Sequence, residues 1–151
     1  RRQRQMCIRD RIFITVDITA PLYWWKEYDT YKVGTVANST STMHKIHSKP
    51  FEMSDFSTDH MNEETIEFME KNIEFLENLR VKYNDTKDKT LWYSIIQLLP
   101  ESYNQMRTCT FSYENAVSMY YSRKNHKLDE WHTFCDWVTE LPYFKELFIQ
   151  E

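Results

Sequence analysis

The side chains best suited to bind a small charged ligand gather in WWKEYDTYKVGTVANSTSTMHKIH, which begins at Trp24. Two adjacent tryptophans lead it, the chain's only glycine, Gly34, interrupts it, and a run of small residues, ANSTST, follows. Asn38, Ser39, Ser41 and Thr42 can direct hydrogen bonds at phosphate oxygens or at the polar edge of a base. Lys32, Lys45, Arg107, Arg123 and Lys127 can neutralise an anion if the fold gathers some of them. Arginine clamps phosphate with two donors, whereas lysine acts as a point charge. Trp24, Trp25 and Tyr28 could cover a base or a flavin ring, because stacking is worth about 1–3 kcal/mol per base. The competing use of each aromatic is plain core packing, and a base pocket needs an aromatic wall together with polar edge recognition.

Other chemistry is less well supported. His44 and His47 are three apart and His126 and His132 six apart, which matches none of the strong zinc spacings, so no metal site is expected. Glu114 and Glu130 could approach one site from separate helices, but acid–base chemistry depends on their separation and pKa values. Ser39, Ser41 and the histidines resemble nucleophile and base only by type, and no nucleophile-elbow pattern accompanies them.

Several elements must position these groups. IFITVDIT, from Ile12, is β-branched and puts Ile12, Ile14, Val16 and Ile18 on one strand face; Phe13 opens the other face to apolar cover as well. Pro21 suits the first position of a helix through LYWWKEYDTYK, and Gly34 ends it. ANSTST reads as a loop, because its side chains compete with backbone ladders. Asn62 caps the longest helix, with Glu63 and Glu64 at its positive end. Ile66, Met69, Ile73, Leu76, Arg80 and Tyr83 mark its packed face, opposite an acidic solvated one. TLWYSIIQLL reads as a short buried helix stopped by Pro100. QMRTCTFS is a strand or an extended entry to the next helix. That helix starts at Tyr113, carries Val117, Tyr120 and Tyr121, and ends in basic residues. Asp129 caps another, bearing Trp131, Phe134, Cys135 and Val138.

Composition bounds the class. The chain has 151 residues, 41% hydrophobic, with ten tyrosines, nine phenylalanines and five tryptophans, which is too aromatic for disorder and enough for one core. A net charge of -4 argues against a broad nucleic-acid-binding field but permits a local anion site. Cys7, Cys109 and Cys135 are odd in number and scattered, which suits reduced thiols in a cytoplasm. No long apolar run predicts a membrane span. RRQRQMCIRDR is basic with no apolar segment after it. Residues 1–11 read as extraneous sequence, and 12–151 as a single domain.

Two separated stretches resemble flavin-dependent thymidylate synthases of the ThyX type. FITVDITAPLYWWKEYDTYKVGTVANSTSTMHK is similar to that family's strand, short helix and signature loop. LLPESYNQMRTCTFSYENAVSMYYSRKNHKLDEWHTF resembles its later Leu-Pro segment and the helix leading to an arginine, here Arg123. Trp131 also matches a family position. The resemblance implies an α/β (α+β) domain with a small central sheet flanked by helices. It also implies a homo-oligomer, a tetramer in the family, with ligand sites at subunit boundaries. FAD is the implied cofactor where the family's binding function is retained, and deoxyuridine monophosphate and methylenetetrahydrofolate are the family's substrates.

The family's charge pattern is depleted here. Its Arg-His-Arg falls on Thr30, Tyr31 and Lys32. Its loop asparagine matches Asn38, its glutamate falls near Ser39, its serine matches Ser41, and the arginine after it falls near Met43. Its Asn-x-Arg falls on Ser112, Tyr113 and Glu114, which turns a positive ligand contact negative. The resemblance therefore leaves enzyme activity open. The leading expectation is a cytoplasmic nucleotide-binding protein, contacting its ligand through Lys32, Asn38, Ser39, Ser41 and Arg123, without thymidylate synthesis. It could sequester a nucleotide, as in a phage–host conflict. The alternatives are a divergent flavin-dependent thymidylate synthase and a non-catalytic structural or protein-interaction protein.

Overall fold

The computed structural model describes residues 8–31, 35–39 and 42–149. Lys32, Gly34, Ser41 and Cys7 lie outside the described residues. The fold mixes helices with a three-stranded sheet of order β1-β3-β2: β1 (Phe13–Pro21), β2 (Val36–Ser39) and β3 (Asn104–Ser112). None of the described helices is long and apolar enough to cross a membrane.

The chain divides into two compact units. The first takes β1 as far as Ala20, Trp24–Asn38, and the chain from Met106 onward. Its sheet register is set by side-chain pairs: Thr15 Oγ1 meets Thr110 Oγ1 at 3.0 Å, and the Thr108 hydroxyl donates to Asp17 Oδ1 at 2.6 Å. Stepping two residues along β1 moves two residues back along β3, so the pair is antiparallel. Ile14, Val16 and Ile18 are half-buried beneath the sheet, as their alternation predicts. Phe13 opens on the other side and is 63% exposed, so the described residues do not supply the apolar cover expected there. QMRTCTFS resolves to strand, with Cys109 and Phe111 fully buried.

Pro21 ends β1 rather than opening the helix, and α1 is Leu22–Tyr28. α5 (Tyr113–Arg123) is capped by Ser112, whose side chain accepts from the Asn115 amide. Its buried stripe is Tyr113, Ala116, Val117 and Met119; Tyr121 lies outside that stripe and is exposed. α6 (Asp129–Thr139) begins after Leu128, so Asp129 is its first residue rather than its cap. There its carboxylate still suits the positive end of the helix. α7 (Phe144–Phe148) packs its two phenylalanines edge-on against Tyr113.

The second unit takes Pro21–Tyr23 and Ser39–Gln105. α3 (Glu63–Thr86) starts where Asn62 Oδ1 accepts from the Thr65 amide at 2.9 Å. Its Met69, Ile73 and Leu76 pack with Ile46, Phe51, Phe56 and Ile95. The opposite face is not purely acidic, since Phe68 and Phe75 are exposed on it. α4 (Lys89–Leu98) is amphipathic rather than wholly buried: Ile95 is enclosed while Tyr93 and Leu98 face outward. The loop read for ANSTST does not hold for its described residues. Ala37, Asn38 and Ser39 extend β2, and α2 (Thr42–Lys45) follows.

Candidate functional site

α1 turns its two tryptophans inward. Trp24 and Trp25 are each 1% exposed and Tyr28 is 2% exposed. Trp24 stacks on Tyr28 at 5.3 Å and meets Trp131 of α6 at 4.7 Å between ring centroids. These rings therefore form core, and none of the three offers the open face that a base or an isoalloxazine would need. Their packing does fix the next residues, Glu27, Asp29 and Tyr31, which reach basic partners on β3 and α5.

Arg107 of β3 is the first of these partners. Its Nη1 donates to Asp29 Oδ1 at 2.7 Å, and its guanidinium lies 4.4 Å over the Trp25 ring. Arg123, at the end of α5, is the second. Its Nε donates to Tyr31 Oη and its Nη1 to Glu27 Oε2, both at 2.8 Å, while its guanidinium lies 5.0 Å from the Trp131 ring centroid. Burial opposes the Arg123 charge, but Tyr31 and Glu27 outweigh it and hold its pKa above the usual arginine value. A cation held between rings and a carboxylate is well fixed but already compensated.

Between these groups lies a cleft of about 290 Å³, lined by Tyr28, Asp29, Tyr31, Thr35, Ala37 and Arg107. Thr35 donates its hydroxyl to the Tyr31 carbonyl, which ties the start of β2 to the end of the α1 turn. Burial, with the Cys109 thiol beside it, pushes the Tyr28 hydroxyl far above the ordinary phenol value. Tyr28 is therefore neutral, and a thiol is only a weak hydrogen-bond partner for it. Burial also raises the Cys109 pKa, against the lowering contact with Tyr28. Neither group supplies a nucleophile or a base near neutral pH.

The anticipated ligand residues are only partly gathered. Asn38 is exposed on β2, next to Ala37 of the cleft wall. Ser39 is also exposed, but it belongs to the second unit. Arg123 stands behind Tyr31, with its side chain 15% exposed. Lys32 and Ser41 lie outside the described residues. Glu114, where the family pattern calls for arginine, is 3.8 Å from Arg9, and Glu130 lies on α6. Arg107 is one of several equivalent cations in the sequence; the period-2 spacing that puts it on one strand face with Cys109 and Phe111 is the signal that could have singled it out.

The fold is similar to that of ThyX-type thymidylate synthases. Two solved structures carry the likeness. Thymidylate Synthase X from Helicobacter pylori, crystallised with FAD and dUMP, superposes with a TM-score of 0.69 at 17% identity, covering 93% of this chain and 73% of that one. A second structure of the Helicobacter pylori enzyme, also complexed with FAD and dUMP, gives a TM-score of 0.65 at 17% identity over the same shares. At that identity the likeness establishes the fold alone. No protein-family model and no curated protein matches the chain.

Proposed function

We propose that this chain binds a nucleotide, or another small phosphate-bearing ligand, in the cleft beside β2, and that it does so without thymidylate synthesis. The observation that carries the reading is Arg107. A guanidinium seated on Trp25 faces a cleft walled by Tyr31, Thr35 and the start of β2. The phosphate would share or replace Asp29 as the partner of Arg107. Asn38 would extend the polar wall, and Arg123 would act by holding Tyr31 in place. The sequence nominates Lys32, Ser39 and Ser41 as further contacts; Lys32 and Ser41 lie outside the described residues, and Ser39 belongs to the second unit.

Two features of the described residues support binding without turnover. Tyr28 in the cleft wall and the buried Cys109 behind it are both pushed toward their neutral forms. The aromatic rings that could cover a flavin are filled by neighbouring side chains. Holding a nucleotide without converting it is what a sequestering protein requires. The likeness to two enzymes crystallised with FAD and dUMP supports the ligand class.

Native mass spectrometry of freshly purified protein, followed by thermal shifts with FAD and with mono-, di- and cyclic nucleotides, tests this. A nucleotide that raises the melting temperature of the wild type, but not of Arg107→Ala, supports the reading. Bound flavin with substrate-dependent NADPH consumption would replace it with the enzyme reading. No shift with any of these ligands in a folded protein would leave the interaction-protein reading.

A further inference from the structure

A second cleft, of about 330 Å³, lies away from the nucleotide site, between β1 and α6. Its floor is apolar, with Val16 and Ile18 of β1 and Phe134 and Trp137 of α6, and Glu130 lies at its wall. β1 is an edge strand, because the sheet order is β1-β3-β2. The register shows which backbone groups that edge presents. The Tyr113 amide donates to the Ile12 carbonyl, and the Leu22 amide to the Tyr103 carbonyl. Even-numbered residues of β1 therefore form the hydrogen-bonded pairs with β3. The odd-numbered residues, Phe13, Thr15, Asp17 and Thr19, turn their amides and carbonyls outward. Their side chains are exposed as well. A nine-residue edge that no other described strand pairs is a template for another strand.

We propose that β1 and α6 form a docking groove that takes an extended peptide as an added strand, with the side-chain order apolar–basic–apolar. The register assigns each position. An incoming residue opposite Asp17 exchanges two backbone hydrogen bonds with it and points its side chain to the open face of the sheet. Asp17 already accepts one hydroxyl there, from Thr108, and a carboxylate has lone pairs to spare for an ammonium or guanidinium. The residues on either side of it, opposite Val16 and Ile18, point the other way, into the groove over Phe134 and Trp137. Apolar side chains fit there. Charge complementarity therefore selects a basic residue at the centre, and the aromatic floor selects its neighbours.

The probe is a fluorescein-labelled heptapeptide, Ser-Thr-Val-Lys-Val-Thr-Ser, titrated by anisotropy into the full chain. Saturable binding is expected, weakened about fivefold by Asp17→Lys, since a cross-strand charge pair is worth up to about 1 kcal/mol. A peptide with glutamate in place of lysine should reverse that preference. N-methylation of the lysine amide should cost about tenfold, because it removes a backbone bond and crowds the edge; N-methylation of either valine, whose amide points away, should cost less than about twofold. Circular dichroism checks that the variant keeps its fold. Absence of binding up to millimolar peptide overturns the proposal. So does equal sensitivity to methylation at lysine and valine. A concentration-dependent dimer that Asp17→Lys dissociates would assign the edge to a second copy of the chain and overturn it too.

Discussion

Replacing Asp29 with asparagine should tighten phosphate-ligand binding. In the resting protein Arg107 spends one of its donors on Asp29, at 2.7 Å. The carboxylate is 54% exposed, so the pair lies in strongly screened surroundings and is worth about 0.2–1 kcal/mol. The same carboxylate repels an incoming phosphate. Two like charges about 5 Å apart in water cost about 1 kcal/mol. Asparagine keeps the size and one hydrogen-bond acceptor but carries no charge, so both penalties are lifted. Together they come to about 1–2 kcal/mol, or roughly a tenfold lower Kd. Isothermal titration calorimetry of dUMP, AMP and pyrophosphate against wild type, Asp29→Asn and Arg107→Ala reads this directly. The gain should shrink as salt rises, because the screening length shortens. Weaker or unchanged binding by folded Asp29→Asn, with at least one of these ligands binding the wild type, would refute the assignment of Arg107 as the phosphate contact.

Four further outcomes are expected. Glu77 accepts from both Arg80 and the Phe51 amide, and the Arg80 hydrogen bonds hold its carboxyl below the usual value of 4.5. A depressed folded pKa stabilises above the unfolded pKa and is lost as pH falls through the folded one. Thermal melts should therefore show Glu77→Gln about 1–2 kcal/mol less stable than wild type at pH 7, with the gap closing below about pH 4. Leu76, fully enclosed in the second unit, should cost about 3 kcal/mol on truncation to alanine, seen as a melting temperature lower by about 6–12 °C. Arg123→Ala should lower stability by about 2 kcal/mol through loss of its bonds to Glu27 and Tyr31, with any loss of ligand affinity smaller than that caused by Arg107→Ala. Cys135, whose thiol burial pushes up to about 11, should resist iodoacetamide at pH 8 until the chain is unfolded, as site-resolved mass spectrometry would report.

Local chemistry made part of the fold readable. The β-branched run from Ile12 alternates as a strand must, and β1 follows it. Asn62 ahead of two glutamates marks a helix start because a side-chain oxygen there satisfies an orphan amide, and α3 begins at that point. The apolar spacing at Met69, Ile73 and Leu76 puts those residues on one face whatever that face packs against. The two motif-bearing stretches pointed to a small sheet flanked by helices, and the superposition on the thymidylate synthase structures bears out that architecture.

Tertiary structure decided the rest, because the deciding partners lie far apart in the chain. ANSTST has the composition of a loop, yet its Ala37, Asn38 and Ser39 join β2 because β3 offers a ladder on that side. Trp24 and Trp25 could have lined a ligand site; Trp131 and Phe134, more than a hundred residues later, close over Trp24 and make it core. Arg123 reads in the sequence as one cation among several, and only the fold brings Glu27 and Tyr31 to it. Residue type determines which interactions a side chain can make. Only the assembled fold determines which partner arrives, since a buried charge or ring takes whichever complement the packing brings within a few ångströms.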